Sequence, residues 1–171
     1  MTNGPGRNSL PTSNLPANVH STRPVHPCIA LLDSFLYFQP KHRLFRVLRE
    51  HGRVYRAARL PRDVRRGPMR ECFRNAANLA LSRHDLTYVE GYAVSGAAGI
   101  PLPLLHAWCV TASGRVVDPT WEDSRASRYF GVPIKAGYLR VALLQDGVYG
   151  LLDSPRRAAA MCDEGPEVYA P

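Results

Sequence analysis

The sequence predicts an α+β fold, with helices packed on one side of an antiparallel β-sheet. Helix-like patterns fill the first half of the chain, and β-rich segments fill the second. Those later segments are joined by short turns rather than by alternating helices, which favours antiparallel over parallel pairing. The 171 residues and 45% hydrophobic content suit one domain with a core of useful size.

Residues 1–24 are rich in Pro, Asn, Ser and Gly and poor in large apolar groups. Ordering them costs more entropy than their burial returns, so they read as a flexible N-terminal arm before a single domain spanning 25–171. They lack the basic start and apolar stretch of a signal peptide, and no apolar run is long enough to span a bilayer. The expectation is a cytoplasmic chain without a membrane. "CIALLDSFLYF", 28–38, is compact and apolar, and its pattern fits a helix or a strand. "PKHRLFRVLREHG" reads as a short helix with Pro40 near its start. Leu44, Val47, Leu48 and His51 share one side, and Gly52 is the stop. "RVYRAARLP" leans toward an extended path. Gly67 and Pro68 mark the start of a further helix that puts Met69, Cys72, Ala76 and Leu79 or Ala80 on one face.

"LTYVEGYAV", 86–94, is a strand rich in Tyr and Val, and "SGAAGIPLP" is a loop. "PLPLLHAWCVTASGRVVDPTW" reads as a hairpin. "YFGVPIKAGYLRVALLQDGVYGLLD" suggests two or three more strands with a turn at Asp146-Gly147, and "RRAAAMCDEGPEVYAP" reads as a surface tail.

The net charge of +8 is concentrated. Between Lys41 and Arg74 lie twelve Lys or Arg and three Asp or Glu, a local net of +9. Such a segment suits an acidic substrate or partner, with nucleic acid as the second class it admits, or it is a solvated arginine face. The four cysteines form no C-x-x-C pair, which argues against a zinc knuckle and a disulfide-stapled secreted fold. No metal or cofactor is expected: Cys72, His106 and Asp118 lack the fourth close ligand that structural zinc recruits.

Side chains alternate across a strand, so His106, Trp108 and Val110 share one face of the hairpin. A three-residue loop, Ala112-Ser113-Gly114 with Gly114 left-handed, pairs Thr111 with Arg115. Trp108 then faces Asp118, and His106 becomes the diagonal neighbour of that carboxylate. A two-residue loop throws Asp118 to the other face. In the first arrangement Asp118 accepts a hydrogen bond from one imidazole nitrogen and leaves the other free to take a proton. Cys109 points away from His106 on the same strand. Cys72, near a helix N-terminus, has the best electrostatic case for a thiolate; Arg70 adds positive potential and Glu71 opposes it. Taken singly, each residue has a plainer explanation: a small buried thiol, a packed imidazole, an aspartate bonding its own turn.

"ECFRNAANLAL", "YVEGYAV", "HAWCVT" and "VVDPTW" together resemble the core of the transglutaminase-like superfamily, within the wider papain-like fold. The resemblance covers about residues 68–121. It implies a papain-like core in which Cys72 begins a helix with Ala76 four residues on, followed by Gly91-Tyr92 on a strand. His106 occurs as His-Ala-Trp and Asp118 as Asp-Pro-Thr, in the family's order. Glu71 stands where glycine is commoner, and no upstream Gln or Trp completes an oxyanion site; Asn75 and Tyr55 are the substitutes at hand. The implied activity is cysteine-dependent attack on an amide or peptide bond through a thioester, with the acyl group then passed to water (hydrolysis) or to an amine (transfer). Cys72 is then the nucleophile, His106 the proton shuttle and Asp118 its orienting partner, with Trp108, Tyr92 and Asn75 lining the substrate cleft. The expected partner is a peptide, protein or small amide. An arylamine-type N-acyltransferase and an inert basic binding protein are the alternatives.

Overall fold

The structure, a computed structural model, describes Met1, residues 25–96 and residues 102–171. The expected N-terminal arm past Met1, and most of the loop before the hairpin, lie outside the described residues. Helix α1 (Pro27–Phe38) opens with proline in its first turn, where no backbone bond is lost. Segment 28–38 is therefore helical, with Cys28 and Leu32 buried one turn apart. Helix α2 (Arg43–His51) buries Leu44, Val47 and Leu48 as expected, together with Phe45, and His51 stacks on Tyr169. Gly52 ends it, its amide donating to the Leu48 carbonyl. The arginine spacing beyond that point is not helical, because the chain turns into strand β1 (Arg53–Tyr55).

Helix α3 (Cys72–Ser82) starts at Cys72, four residues later than the expected start at Pro68. Tertiary bonds explain the difference. The Gly67 amide donates to the Pro119 carbonyl at 2.8 Å, and the Asn75 side chain donates to the Pro68 carbonyl at 2.8 Å. Residues 67–70 are held in a turn by these bonds, with Arg70 left-handed at φ 69°. Met69 is exposed rather than on the buried face, which Cys72, Ala76, Ala77 and Ala80 form.

Strands β2 (Leu86–Val94), β3 (Leu104–Thr111), β4 (Val116–Val117) and β5 (Arg128–Ile134) complete an antiparallel sheet of order β1-β5-β2-β3-β4. Past β1, Arg56 bridges to Arg115 at the opposite edge: Arg56 N–H donates to Gly114 O at 3.2 Å and Val116 N–H to Arg56 O at 3.0 Å. The sheet is curled by this link. Its inner face holds Tyr55, Val89, Ala93, Trp108, Val110, Val116 and Tyr129. Its outer face, with Tyr88, Cys109, Val117, Val132 and Ile134, packs with the helices in the larger core. Gly131 lets the inner face close, since a Cβ there would stand 2.7 Å from the Trp108 ring.

The C-terminal third departs from expectation. Of the two or three strands expected over 129–153 only β5 forms; the next segment is helix α4 (Ala136–Asp146), and Gly147 is its left-handed cap at φ 65° rather than a hairpin turn. The supposed tail carries helix α5 (Pro155–Asp163), which Ser154 caps by accepting from the Arg157 amide. Ala158 and Met161 are buried, and Ala170 N–H donates to the Pro133 carbonyl at 3.0 Å, so this segment belongs to the core. Among the described residues, no helix is long and apolar enough to cross a membrane.

Candidate active site

The hairpin closes through the three-residue loop. Gly114 is left-handed at φ 72°, its amide donates to Thr111 O at 2.9 Å, and Thr111 N–H donates to Arg115 O at 3.0 Å. Cys109 pairs with Val117 and Val110 with Val116, a register that continues to Trp108 opposite Asp118. His106 is thus the diagonal neighbour, and its Nε2 lies 2.9 Å from Asp118 Oδ2. The two side chains are 2% and 0% exposed, so little water competes for that bond. The carboxylate divides its work. Oδ1 accepts from the amides of Thr120 (2.8 Å) and Trp121 (3.1 Å), the local turn bond expected of an aspartate before proline. Oδ2 accepts from the Tyr129 hydroxyl at 2.9 Å as well as serving His106.

Four donors around one carboxylate decide its charge. Burial raises its pKa, but the His106 bond and charge and the two turn amides outweigh that, holding Asp118 below the ordinary carboxylate value. Burial likewise opposes a charge on His106. Its hydrogen bonds to Asp118 and Cys72, and their charges, prevail and push it up to about 9. The direction of that shift favours the protonated imidazole. With Nε2 committed to Asp118, Nδ1 is the nitrogen left for the thiol.

Cys72 is the first residue of α3 and is buried. Its N-cap, Glu71, makes no side-chain capping bond, so that side chain leaves the first-turn amides uncapped. Those amides and the helix dipole favour negative charge on the sulfur. The Glu71 carboxylate, an opposing charge, lies 3.4 Å from the Arg74 guanidinium. Asn75 Nδ2 donates to Thr120 Oγ1 at 3.0 Å, which ties the start of α3 to the residues just after Asp118. β4 pairs only with Cys109 and Val110, so the His106 stretch of β3 has no ladder partner on that edge.

Cys72, His106 and Asp118 are thus brought together; the other expected site residues are distributed differently. Trp108 is 0% exposed, packed between Tyr55 and Tyr129 in the inner core, and walls no cleft. Trp121, and not Trp108, lies against the imidazole, half-buried and stacked on His106 with ring centroids 4.0 Å apart. Asn75 spends its amide on Pro68 and Thr120 and acts as a clamp. Tyr55 is buried in the inner core, away from any oxyanion role. Tyr92 is half-buried on the outer face, 6.2 Å from the Phe35 ring. Cys109 points to the opposite face from His106, as alternation requires, with its thiol 3.2 Å from Ala76 O.

Sequence reasoning misses two contributors. Trp121 is signalled by its place directly after Asp-Pro-Thr, whereas nothing local marks Tyr129. The basic segment also has structural tasks: Arg43 pairs with Asp163, Arg49 with Asp33, and Arg66 donates to the carbonyls of Trp121 and Glu122, bracing the ring that covers His106. Among the described residues, no three His, Cys, Asp or Glu side chains group to hold a metal. No family model, curated protein or solved structure matches this chain.

Proposed function

We propose that this chain is a cysteine-dependent acyl-transfer enzyme or hydrolase of the transglutaminase-like kind, acting on an amide or peptide bond. A helix that begins at its cysteine, set against an antiparallel sheet carrying the histidine and aspartate, supports a papain-like core. One observation carries the proposal: His106 is clamped to Asp118 at 2.9 Å in a buried pair, and Cys72 is among the neighbours that raise the pKa of its imidazole.

The chemistry follows from those positions. The thiol proton rests on His106, and the Cys72 thiolate attacks the substrate carbonyl carbon. First-turn amides of α3 receive the negative oxygen of the tetrahedral adduct. As the C–N bond breaks, His106 gives its proton to the departing amine and a thioester remains on Cys72. Water or a second amine then loses a proton to His106 and attacks the thioester, and the sulfur leaves as a thiolate. Trp121, lying over the imidazole, limits water at the ring.

Limited iodoacetamide treatment followed by intact-mass and peptide analysis tests the proposal. Cys72 is expected to react first, because burial pushes Cys28 up to about 12 and also raises Cys109 and Cys162. Equal labelling of all four thiols, or a protected Cys72 in the folded chain, would overturn it.

A further inference from the structure

A groove of about 410 Å³ lies between the sheet's outer face and helices α2 and α5. Leu44, Leu105, Leu152, Pro155 and Ala158 line it, with Lys41 and Asp153 also at its border. Arg43 is turned to Asp163 at 3.2 Å and His42 is stacked on Phe45 at 4.4 Å, so these neighbours already have partners. What remains is an apolar depression with one cation and one carboxylate beside it, of a size usual for small-ligand sites.

Two of its walls are fixed relative to the nucleophile. Leu105 directly precedes His106, and strand alternation turns it toward the helices. Leu152 belongs to a turn whose Gly150, at φ 94°, packs against Phe73, the residue after Cys72; a Cβ on Gly150 would stand 3.5 Å from that ring. That turn is pinned by a carboxylate the reaction does not use. Glu90 is fully buried, with Oε1 accepting from Leu151 N–H and Tyr88 O–H and Oε2 from Leu152 N–H, each at 2.7 Å. A buried acid satisfied by three donors is a rigid anchor, and what it anchors is the wall carrying Leu152.

Resting on the assignment of Cys72 as nucleophile, we propose that this groove receives a bulky apolar side chain on the acyl half of a peptide or amide substrate. The acyl half is bonded to sulfur in the thioester, so it gains most from a pocket whose walls are tied to the neighbours of Cys72 and His106. The amine half leaves after the first step.

The test uses the full chain and acylaminomethyl ketone chlorides bearing glycine, leucine, phenylalanine or aspartate beside the reactive carbon. Labelling of Cys72 is followed by intact mass and normalised to each reagent's rate with a small free thiol, with iodoacetamide as the reference lacking a side chain. The leucine and phenylalanine reagents are expected to label Cys72 at least about tenfold faster than the glycine and aspartate ones, the usual discrimination of an apolar pocket. Leu105→Lys is expected to reduce that ratio toward one. Iodoacetamide labelling without any preference for apolar reagents would overturn the groove assignment and leave the nucleophile standing. A Cys72 inert even to iodoacetamide would remove the nucleophile, and the groove assignment with it. Because the comparison of reagents is made on the unaltered chain, it holds even if Leu105→Lys fails to fold.

Discussion

Asp118→Asn changes one oxygen to an amide and removes the charge that faces His106. In the native chain His106 rises from 6.5 to about 9 although burial pulls the other way. At about 1.4 kcal/mol per pKa unit, the imidazolium is favoured by roughly 3 kcal/mol. Its bonds to Asp118 lead the causes that raise it, and the burial that lowers it remains after the substitution. The asparagine amide also donates toward Nε2, which imposes the wrong tautomer. His106 in the variant is therefore expected to titrate well below its native value, and Cys72 alkylation at neutral pH to slow by up to about a hundredfold, the most that roughly 3 kcal/mol allows. The assay pairs NMR titration of the His106 ring with alkylation rates across pH, read by intact mass. An unchanged His106 midpoint, or alkylation profiles that superimpose, would refute the link between the carboxylate and the thiol.

Tyr129→Phe deletes the donor to Asp118 Oδ2 without changing ring packing. It is expected to destabilise the fold by about 1.5–3 kcal/mol, the worth of a bond to a charged acceptor, measured by urea unfolding. Glu90→Gln turns an acceptor into an amide facing main-chain donors, and thermal unfolding should show a loss of at least about 2 kcal/mol. Stability should also depend on pH through the buried pair. The His106 contribution is complete below 6.5 and lost as pH rises through about 9, while that of Asp118 is present above 3.8 and lost as pH falls below it. The thermal midpoint of the native chain should therefore fall between mildly acidic and strongly basic pH, by roughly 2–4 °C per kcal/mol lost, and His106→Gln should flatten that fall.

Local chemistry makes part of this molecule legible in its sequence. Gly114 marks the left-handed loop position, and from it follows the register that sets His106 diagonal to Asp118. Tyr and Val content reads β2 with its observed bounds, and period-two alternation places Cys109 opposite His106. Alternation names a face, however, and not which way the sheet curls. That curl is set by the Arg56–Arg115 bridge between segments distant in sequence, and it is why Trp108 is internal and Trp121 covers the histidine. Tyr129 reaches Asp118 from β5 across the same curled face. Helix α4 is hard to see in the sequence because its apolar residues are spread around it: Leu139 and Ala142 are buried while Val141 and Leu144 are exposed. The Ser154-Pro155 pair, a good cap and first residue, is the local sign of α5 that the tail-like composition around it obscures.

The proposed mechanism stands or falls on whether His106 promotes a thiolate at Cys72. Ultraviolet difference absorbance of the thiolate, comparing the native chain with Cys72→Ser and His106→Ala at neutral pH, measures this directly. A thiolate signal present in the native chain and lost in both variants is the predicted result. Absence of the signal in the native chain, or its full persistence in His106→Ala, would contradict the claim.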